Sequence, residues 1–286
     1  MIDGRTVLTG LLGSPVGHSI SPLMHNTAFQ ALGLNYAYLC FDVGKENLHH
    51  AVDGLVSLGA KGWNCTMPDK VRMAELCDTL STAASLIGAV NTVVNDNGRL
   101  VGHNTDGVGY MRSVKEAGFN VIGEKVTLFG TGGASTSILV QAALDGVKEI
   151  SVFARPGASR ERTAELIQRI KKESDCYCHL CEYTPEVMRQ ELAESRMVIN
   201  GTNVGMSPYE EGCIVPDATM LHPELIVSDI IYNPRITKLL AMAKDQGCAW
   251  FNGLYMLLYQ GAEAFRLWTG QDMPVEMIKE KYFDGK

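Results

Sequence analysis

One short segment constrains this chain more than any other: Gly130-Thr131-Gly132-Gly133-Ala134-Ser135, set between a strand-like run at residues 125–129 and a helix-like run at residues 137–144. A strand that turns tightly on glycines into a helix leaves the first helical amides without intrahelical partners, and the helix dipole puts positive potential at the same spot. Glycine lets a phosphate approach the backbone there, so the arrangement predicts a pyrophosphate seat and hence a dinucleotide. Ser135 stands where the G-x-G-x-x-G pattern has its third glycine, so helix and strand must pack around a small side chain. The competing reading is a plain strand-to-helix turn that uses glycine for its geometry.

The next segment favours the dinucleotide. Residues 148–155 read as a second parallel strand, which completes a βαβ unit of the roughly 30 residues that motif needs. At the end of such a strand an acidic residue binds the ribose 2′-hydroxyl of NAD, whereas an arginine accommodates the 2′-phosphate of NADP. Ala154 stands there, followed by Arg155, with Arg160 and Arg162 nearby in sequence. Cations without a carboxylate lean to NADP. NAD stays open, because Arg160 and Arg162 also suit the outer face of a helix starting near Ser159.

With 286 residues the chain is long enough for two domains with separate cores. Its net charge of −7 supplies no basic stripe for a phosphate backbone, which argues against a nucleic-acid partner. No run approaches the roughly 18 apolar residues of a membrane span, and the opening apolar stretch, broken at Gly10 and Gly13, is not a secretory signal. The expected setting is the cytoplasm, with no membrane partner. Eight scattered cysteines fit the reduced thiols of an intracellular enzyme. The cluster Cys176-Tyr177-Cys178-His179-Leu180-Cys181 lacks a second ligand pair at a recognised interval; it reads as a strand whose cysteines act as small apolar residues, and no metal is expected.

Strand-like and helix-like runs alternate at residues 7–12, 22–32, 35–42, 48–58, 62–66, 70–76, 89–95 and 100–103, which predicts an α/β domain. A helix at 107–116 opens a second domain, which holds the dinucleotide unit and further strands at 197–200 and 225–229. The helical block at 254–268 is rich in large apolar side chains, and its expected partner is the first domain. The predicted fold is α/β with two domains: residues 1–106 plus 254–286 for substrate, and residues 107–253 as a Rossmann-type NAD(P)-binding domain, with the active cleft expected at their interface.

Four patterns precede the glycine turn and put polar groups at loops or strand ends: His18-Ser19-Ile20-Ser21-Pro22, Asn64-Cys65-Thr66-Met67-Pro68-Asp69-Lys70, Gly88-Ala89-Val90-Asn91-Thr92 and His103-Asn104-Thr105-Asp106-Gly107. Taken singly, each suits local chemistry: Ser19 and Ser21 as caps for the helix after Pro22, Asn91 as a turn residue, Asp106 as a helix N-cap. Taken together and in this order, with the run from Asn200 to Met206 and the ending from Leu257 to Glu263, they resemble the shikimate dehydrogenase family, closest to its quinate/shikimate dehydrogenase branch. The likeness extends over nearly the whole chain.

The resemblance implies reversible oxidation of the ring 3-hydroxyl of shikimate, and of quinate, with NAD or NADP, a step of aromatic amino acid biosynthesis. It implies Lys70 and Asp106 as the catalytic pair. It places Ser19, Ser21, Tyr38 and Gln260 at the substrate carboxylate, and Thr66, Asn91 and Asp106 at the ring hydroxyls. Thr131, Gly132, Gly133 and Ala134 would meet the pyrophosphate, Arg155 the adenosine ribose, and Asn203, Ile230, Tyr232 and Gly253 the nicotinamide half. For Tyr38 a half-buried strand aromatic is an equal reading. Lysine titrates near ~10.4 in water and Asp106 favours its charged form, so Lys70 is either a base in a desolvated site or a donor that polarises the reacting oxygen.

Three departures stand out. Ala154-Arg155-Pro156-Gly157 replaces the Asn-Arg-Thr of NADP-selective members and the Asn-Arg-Arg-Asp of dual-cofactor members; His103 stands where an acid or tyrosine is common, and Cys65 where valine is. The alternatives to a shikimate or quinate enzyme are a relative acting on another cyclic polyol acid, such as an aminated analogue, and a dinucleotide-sensing regulator without turnover. The expected partner is a small molecule, and the chain is a monomer or a homodimer.

Overall fold

The computed structural model describes residues 2–284. The chain forms two compact units: residues up to Gly109 with those from Leu258 onward, and Tyr110–Leu257. The first contains β1 (Val7–Gly13), α1 (Ser21–Ala31), β2 (Tyr36–Asp42), α2 (Leu48–Ser57), β3 (Gly62–Cys65), α3 (Lys70–Glu75), β4 (Thr79–Leu80), α4 (Thr82–Ile87), β5 (Thr92–Asp96) and β6 (Arg99–His103). Its sheet runs β2-β1-β3-β5-β6-β4. β1 pairs parallel with β2 and β3, while β5 runs antiparallel to β3 and β6.

Helix α2 buries Leu48, Val52 and Leu55, the i, i+4, i+7 stripe of an amphipathic helix, in a core with Leu12, Trp63 and Val93. Helix α1 buries Met24, His25, Ala28 and Phe29. His25 stacks on Tyr38, with ring centroids 4.4 Å apart, and lies near Phe29, Phe265 and Trp268. It is fully buried with no hydrogen-bond partner at either ring nitrogen among the described residues, and burial pushes its pKa down to about 3. Trp268 Nε1 donates to the Val93 carbonyl at 2.9 Å, and only the absence of a side chain at Gly62 leaves room for the indole.

Helix α5 (Asp106–Glu116) leads into the second unit, which contains β7 (Lys125–Phe129), α6 (Gly133–Leu144), β8 (Glu149–Phe153), α7 (Ala158–Ile170), β9 (Tyr177–Cys181), α8 (Pro185–Glu194), β10 (Met197–Asn200), β11 (Ile226–Asp229), α9 (Lys238–Asp245) and β12 (Ala249–Asn252). Helices α10 (Leu254–Thr269) and α11 (Val275–Tyr282) follow. The second sheet is wholly parallel in the order β9-β8-β7-β10-β11-β12, the doubly wound Rossmann arrangement. Its four central strands, β8, β7, β10 and β11, are almost wholly buried, as a parallel sheet covered on both faces requires. Among the described residues no helix is long and apolar enough to cross a membrane.

Two expectations shift. The strand expected from residue 89 starts at Thr92, and α4 was not foreseen. Its signals are short but present: the Ser81 side chain accepts from Ala84 N at 3.3 Å, and Gly88, with φ of 72°, closes the helix.

Candidate active site

In the first unit the site grows from three strand and helix ends. Lys70 is the first residue of α3 and Asp106 the first of α5, while Asn91 precedes β5. Lys70 Nζ donates to Asp106 Oδ2 at 2.6 Å, and Asn91 Nδ2 donates to Asp106 Oδ1 at 2.9 Å. Both carboxylate oxygens are thus engaged. Asn91 is itself fixed, since its Oδ1 accepts from Thr105 N at 2.8 Å and Thr92 Oγ1 at 3.0 Å. Asp106 does not cap its own helix; its N–H donates to Asn104 Oδ1 at 3.2 Å, leaving the carboxylate for the lysine. Lys70 spends one of its three N–H donors on Asp106, and two remain for a ligand oxygen.

A second chain of hydrogen bonds backs this group. Tyr38 OH donates to Asn64 Oδ1 at 2.7 Å, and Asn64 Nδ2 donates to the Asn91 carbonyl at 3.1 Å and to Thr92 Oγ1 at 3.0 Å. Tyr38 has no exposed surface, so it is more deeply buried than a half-buried strand aromatic. Ser21 lies within hydrogen-bond reach of its hydroxyl. Ser19 Oγ accepts from Ser21 N at 3.2 Å, while α1 has Ile20 at its N-cap and no side-chain cap, so neither serine caps it. Gly109, one turn after Asp106, lies so close to the Gln260 backbone that a Cβ there would sit 2.5 Å from the Gln260 nitrogen. This contact brings Gln260 beside the first turn of α5.

In the second unit a cavity of about 620 Å³ opens at the carboxyl ends of β7 and β10, where the strand order reverses. That is the ligand position of open parallel sheets. Its lining comes from residues 130–134, from Gly201, Thr202, Asn203, Met206 and Ser207, and from residues 230–233. A dinucleotide fits this turn: a Cβ added at Gly132 or Gly133 would meet nothing within 4 Å, so the space over the amino end of α6 is open. Ser135 is fully buried and its Oγ donates to the Gly201 carbonyl at 2.6 Å.

The family model of the shikimate dehydrogenase substrate binding domain matches residues 11–93, and that of the shikimate 5′-dehydrogenase C-terminal domain matches residues 253–281. A shikimate dehydrogenase (NADP(+)) of Listeria monocytogenes is 50% identical over 283 residues, covering 99% of this chain and 97% of its own. This chain belongs to the shikimate dehydrogenase family. A quinate/shikimate dehydrogenase of Escherichia coli is 42% identical over 280 residues, covering 98% of this chain and 97% of its own. The crystal structure of the Listeria monocytogenes shikimate 5-dehydrogenase, in complex with shikimate and NAD, superposes with a TM-score of 0.95 at 50% identity, covering 99% of this chain and 98% of that one.

Set against the shikimate dehydrogenase motifs, Lys70 and Asn91 are joined through Asp106, while Ser21 lies beside the Tyr38 hydroxyl, which donates to Asn64. Thr66 follows β3, and its N–H donates to the Leu12 carbonyl at 2.9 Å. Thr131, Gly132, Gly133, Ala134, Asn203, Ile230 and Tyr232 all line the cavity. Gly253 is outside the lining; it packs on the Ile230 backbone where no Cβ would fit. Arg155 is also outside the lining and sits exposed within hydrogen-bond reach of Tyr183. Arg160 is spent on structure, its Nη1 donating to the carbonyls of Ala154 at 3.0 Å and Cys181 at 2.8 Å.

Sequence reasoning missed Asn64, whose signal was its place in the Asn-Cys-Thr strand end, and the lining residues Met206, Ser207 and Asn233. The cysteine cluster forms the edge strand β9, with Cys178 and Cys181 buried. His179, Cys181 and Glu191 approach within 4.8 Å of one another, and Lys125 Nζ, 2.9 Å from Glu191 Oε2, meets the carboxylate's charge there.

Proposed function

We infer that this chain is an NAD(P)-dependent dehydrogenase of shikimate, acting also on quinate, that interconverts the ring 3-hydroxyl and the 3-ketone. The observation that carries the reading is the Lys70–Asp106 contact at 2.6 Å, with Asn91 on the second carboxylate oxygen, in a chain that also holds a dinucleotide turn. The nicotinamide ring, when bound, supplies or accepts the hydride. Residues 130–134 are assigned to the pyrophosphate and Asn203, Ile230 and Tyr232 to the nicotinamide half.

The proton is the part left to the protein. In the direction of reduction, Lys70 Nζ donates a proton to the ketone oxygen as the carbon gains hydride, and recovers one from solvent; oxidation runs through the same atoms in reverse. Asp106 holds the Lys70 side chain in place, its Oδ2 accepting from Nζ at 2.6 Å. Ser19, Ser21 and Gln260 are assigned to the substrate carboxylate, Thr66 and Asn91 to the ring hydroxyls. Hydroxyl and amide donors suit a small polyol, because any wrong substrate leaves buried polar atoms unpaired. Tyr38 contributes through Asn64.

The coenzyme assigned is NADP. Arg155 follows β8 with no carboxylate beside it, the arrangement that accommodates a 2′-phosphate. The test is a two-by-two steady-state assay of the purified chain, shikimate or quinate against NADP or NAD. Turnover with shikimate and a higher kcat/KM with NADP is expected. Bound cofactor without turnover on either acid would overturn the assignment in favour of a regulator or a different polyol.

A further inference from the structure

The ends of β10 and β11 carry two buried polar side chains that the reaction above leaves without a role. Asn200 and Asp229 are register partners on adjacent parallel strands, and neither has exposed surface. Asn200 Nδ2 donates to Asp229 Oδ1 at 3.1 Å. From this pair hydrogen bonds run into both loops of the second-unit cavity. Asn200 Nδ2 also donates to the Val204 carbonyl at 3.1 Å, and its Oδ1 accepts from Thr202 N at 3.0 Å and Thr202 Oγ1 at 2.7 Å. Asp229 Oδ1 accepts from Ile231 N at 3.0 Å, and Oδ2 accepts from Thr237 Oγ1 at 2.7 Å.

These three partners of the carboxylate are neutral. A buried carboxylate held by neutral donors often contributes no more to stability than a well-packed apolar pair of the same size. Fold stability therefore does not explain why the strand ends are built this way. Their effect on shape does: residues 201–207 and 230–233 supply the lining that does not come from the glycine turn, and Ser135 ties that turn to the first of these loops at Gly201. One buried pair thus fixes two loops that have no ladder of their own.

The geometry points to Asn200 and Asp229 as positioning residues that set the shape of the nicotinamide half of the pocket. This rests on the reading of that cavity as the dinucleotide site. The pair acts through Thr202, Val204 and Ile231, and touches no reacting atom.

The experiment uses the full chain and four variants: Asn200→Asp, the double variant Asn200→Asp/Asp229→Asn, Thr237→Val and Thr237→Ser. NADPH affinity is read by titrating its fluorescence, shikimate affinity by calorimetry, and Tm by scanning calorimetry. Asn200→Asp sets two carboxylates against each other and is expected to weaken NADPH binding at least tenfold with shikimate affinity unchanged; the double variant, which restores one charge to the pair, recovers most of that loss. Thr237 lies outside the cavity lining and serves where Asn200→Asp does not fold. Thr237→Val is expected to weaken NADPH several-fold and Thr237→Ser to retain it.

NADPH affinities within twofold of the parent in these variants, with only Tm lowered, would overturn the proposal and leave the pair a structural one. Weakened binding without recovery in the double variant, or shikimate affinity falling in parallel, would overturn it as well. A parent chain that binds no NADPH would remove the dinucleotide reading itself, and this inference with it.

Discussion

Ser135 Oγ donates to the carbonyl of Gly201 at 2.6 Å, which ties the first turn of α6 to the end of β10. The residue that departs from the three-glycine pattern is therefore a clip between two sides of the same cavity. Its hydroxyl fits because Gly130 and Gly201 bring no side chain to that space: a Cβ at Gly130 would stand 2.7 Å from Ser135 Oγ, and one at Gly201 would clash with it. Ser135→Ala would leave a buried carbonyl unpaired and should lower stability by about 1–3 kcal/mol. Urea unfolding midpoints of parent and variant check this, and equal midpoints would mean that the carbonyl finds another donor.

Lys70→Met keeps most of the side-chain volume and removes the donor to Asp106. We expect kcat to fall by at least ~100-fold, within the range that positioned proton transfer supplies, with little change in cofactor affinity. A kcat within about tenfold of the parent, only ~1.4 kcal/mol, would remove Lys70 from the catalytic pair.

Arg155→Ala tests coenzyme choice. Arg160 is held by the carbonyls of Ala154 and Cys181, whereas Arg155 is exposed just after β8. The ratio of kcat/KM for NADP over NAD is expected to drop by about tenfold, the worth of one charge-assisted contact to phosphate. A ratio unchanged by the substitution would assign phosphate recognition to another group.

His25 makes stability depend on pH. Burial lowers its folded-state pKa from 6.5 to about 3, so between those values the unfolded chain binds a proton that the folded chain does not. Its contribution is therefore fully present above pH 6.5 and is lost, by about 1.4 kcal/mol per pH unit, as pH falls from there towards 3. Thermal unfolding of the parent and of His25→Phe from pH 7.5 to 4.5 should show a steeper decline in the parent. Parallel curves would mean that His25 gains a proton without opening its aromatic surroundings.

Much of the second unit was legible because its central strands are short, mostly apolar runs and its turn is spelled out by consecutive glycines. The grouping of Lys70, Asn91 and Asp106 was legible only through the resemblance. Nothing local in the sequence says that Lys70, Asn91 and Asp106 meet, since what joins them is the pairing of β5 with β3 and β6. Asn64 escaped notice for the same reason: its side chain matters through Tyr38 and Asn91, which reach it from other strands. Arg160 reads in sequence as suiting the outer face of a helix, and only the fold shows that it donates to the carbonyls of Ala154 and Cys181. Gly253 packs against the Ile230 backbone, a close approach that its place in the sequence does not announce.

The Trp268 indole hydrogen-bonded to Val93 over Gly62 has a consequence for how the protein is made. A ribosome delivers β3 and β5 long before it delivers α10, so the first sheet leaves the tunnel with the indole's place over Gly62 unfilled and Tyr38 and Phe29 lacking their partners Phe265 and Trp268. The second unit, contiguous in sequence, is fully synthesised before Trp268 exists. The part of the chain that is translated first thus completes its aromatic core only with Phe265 and Trp268, which are translated after the whole second unit.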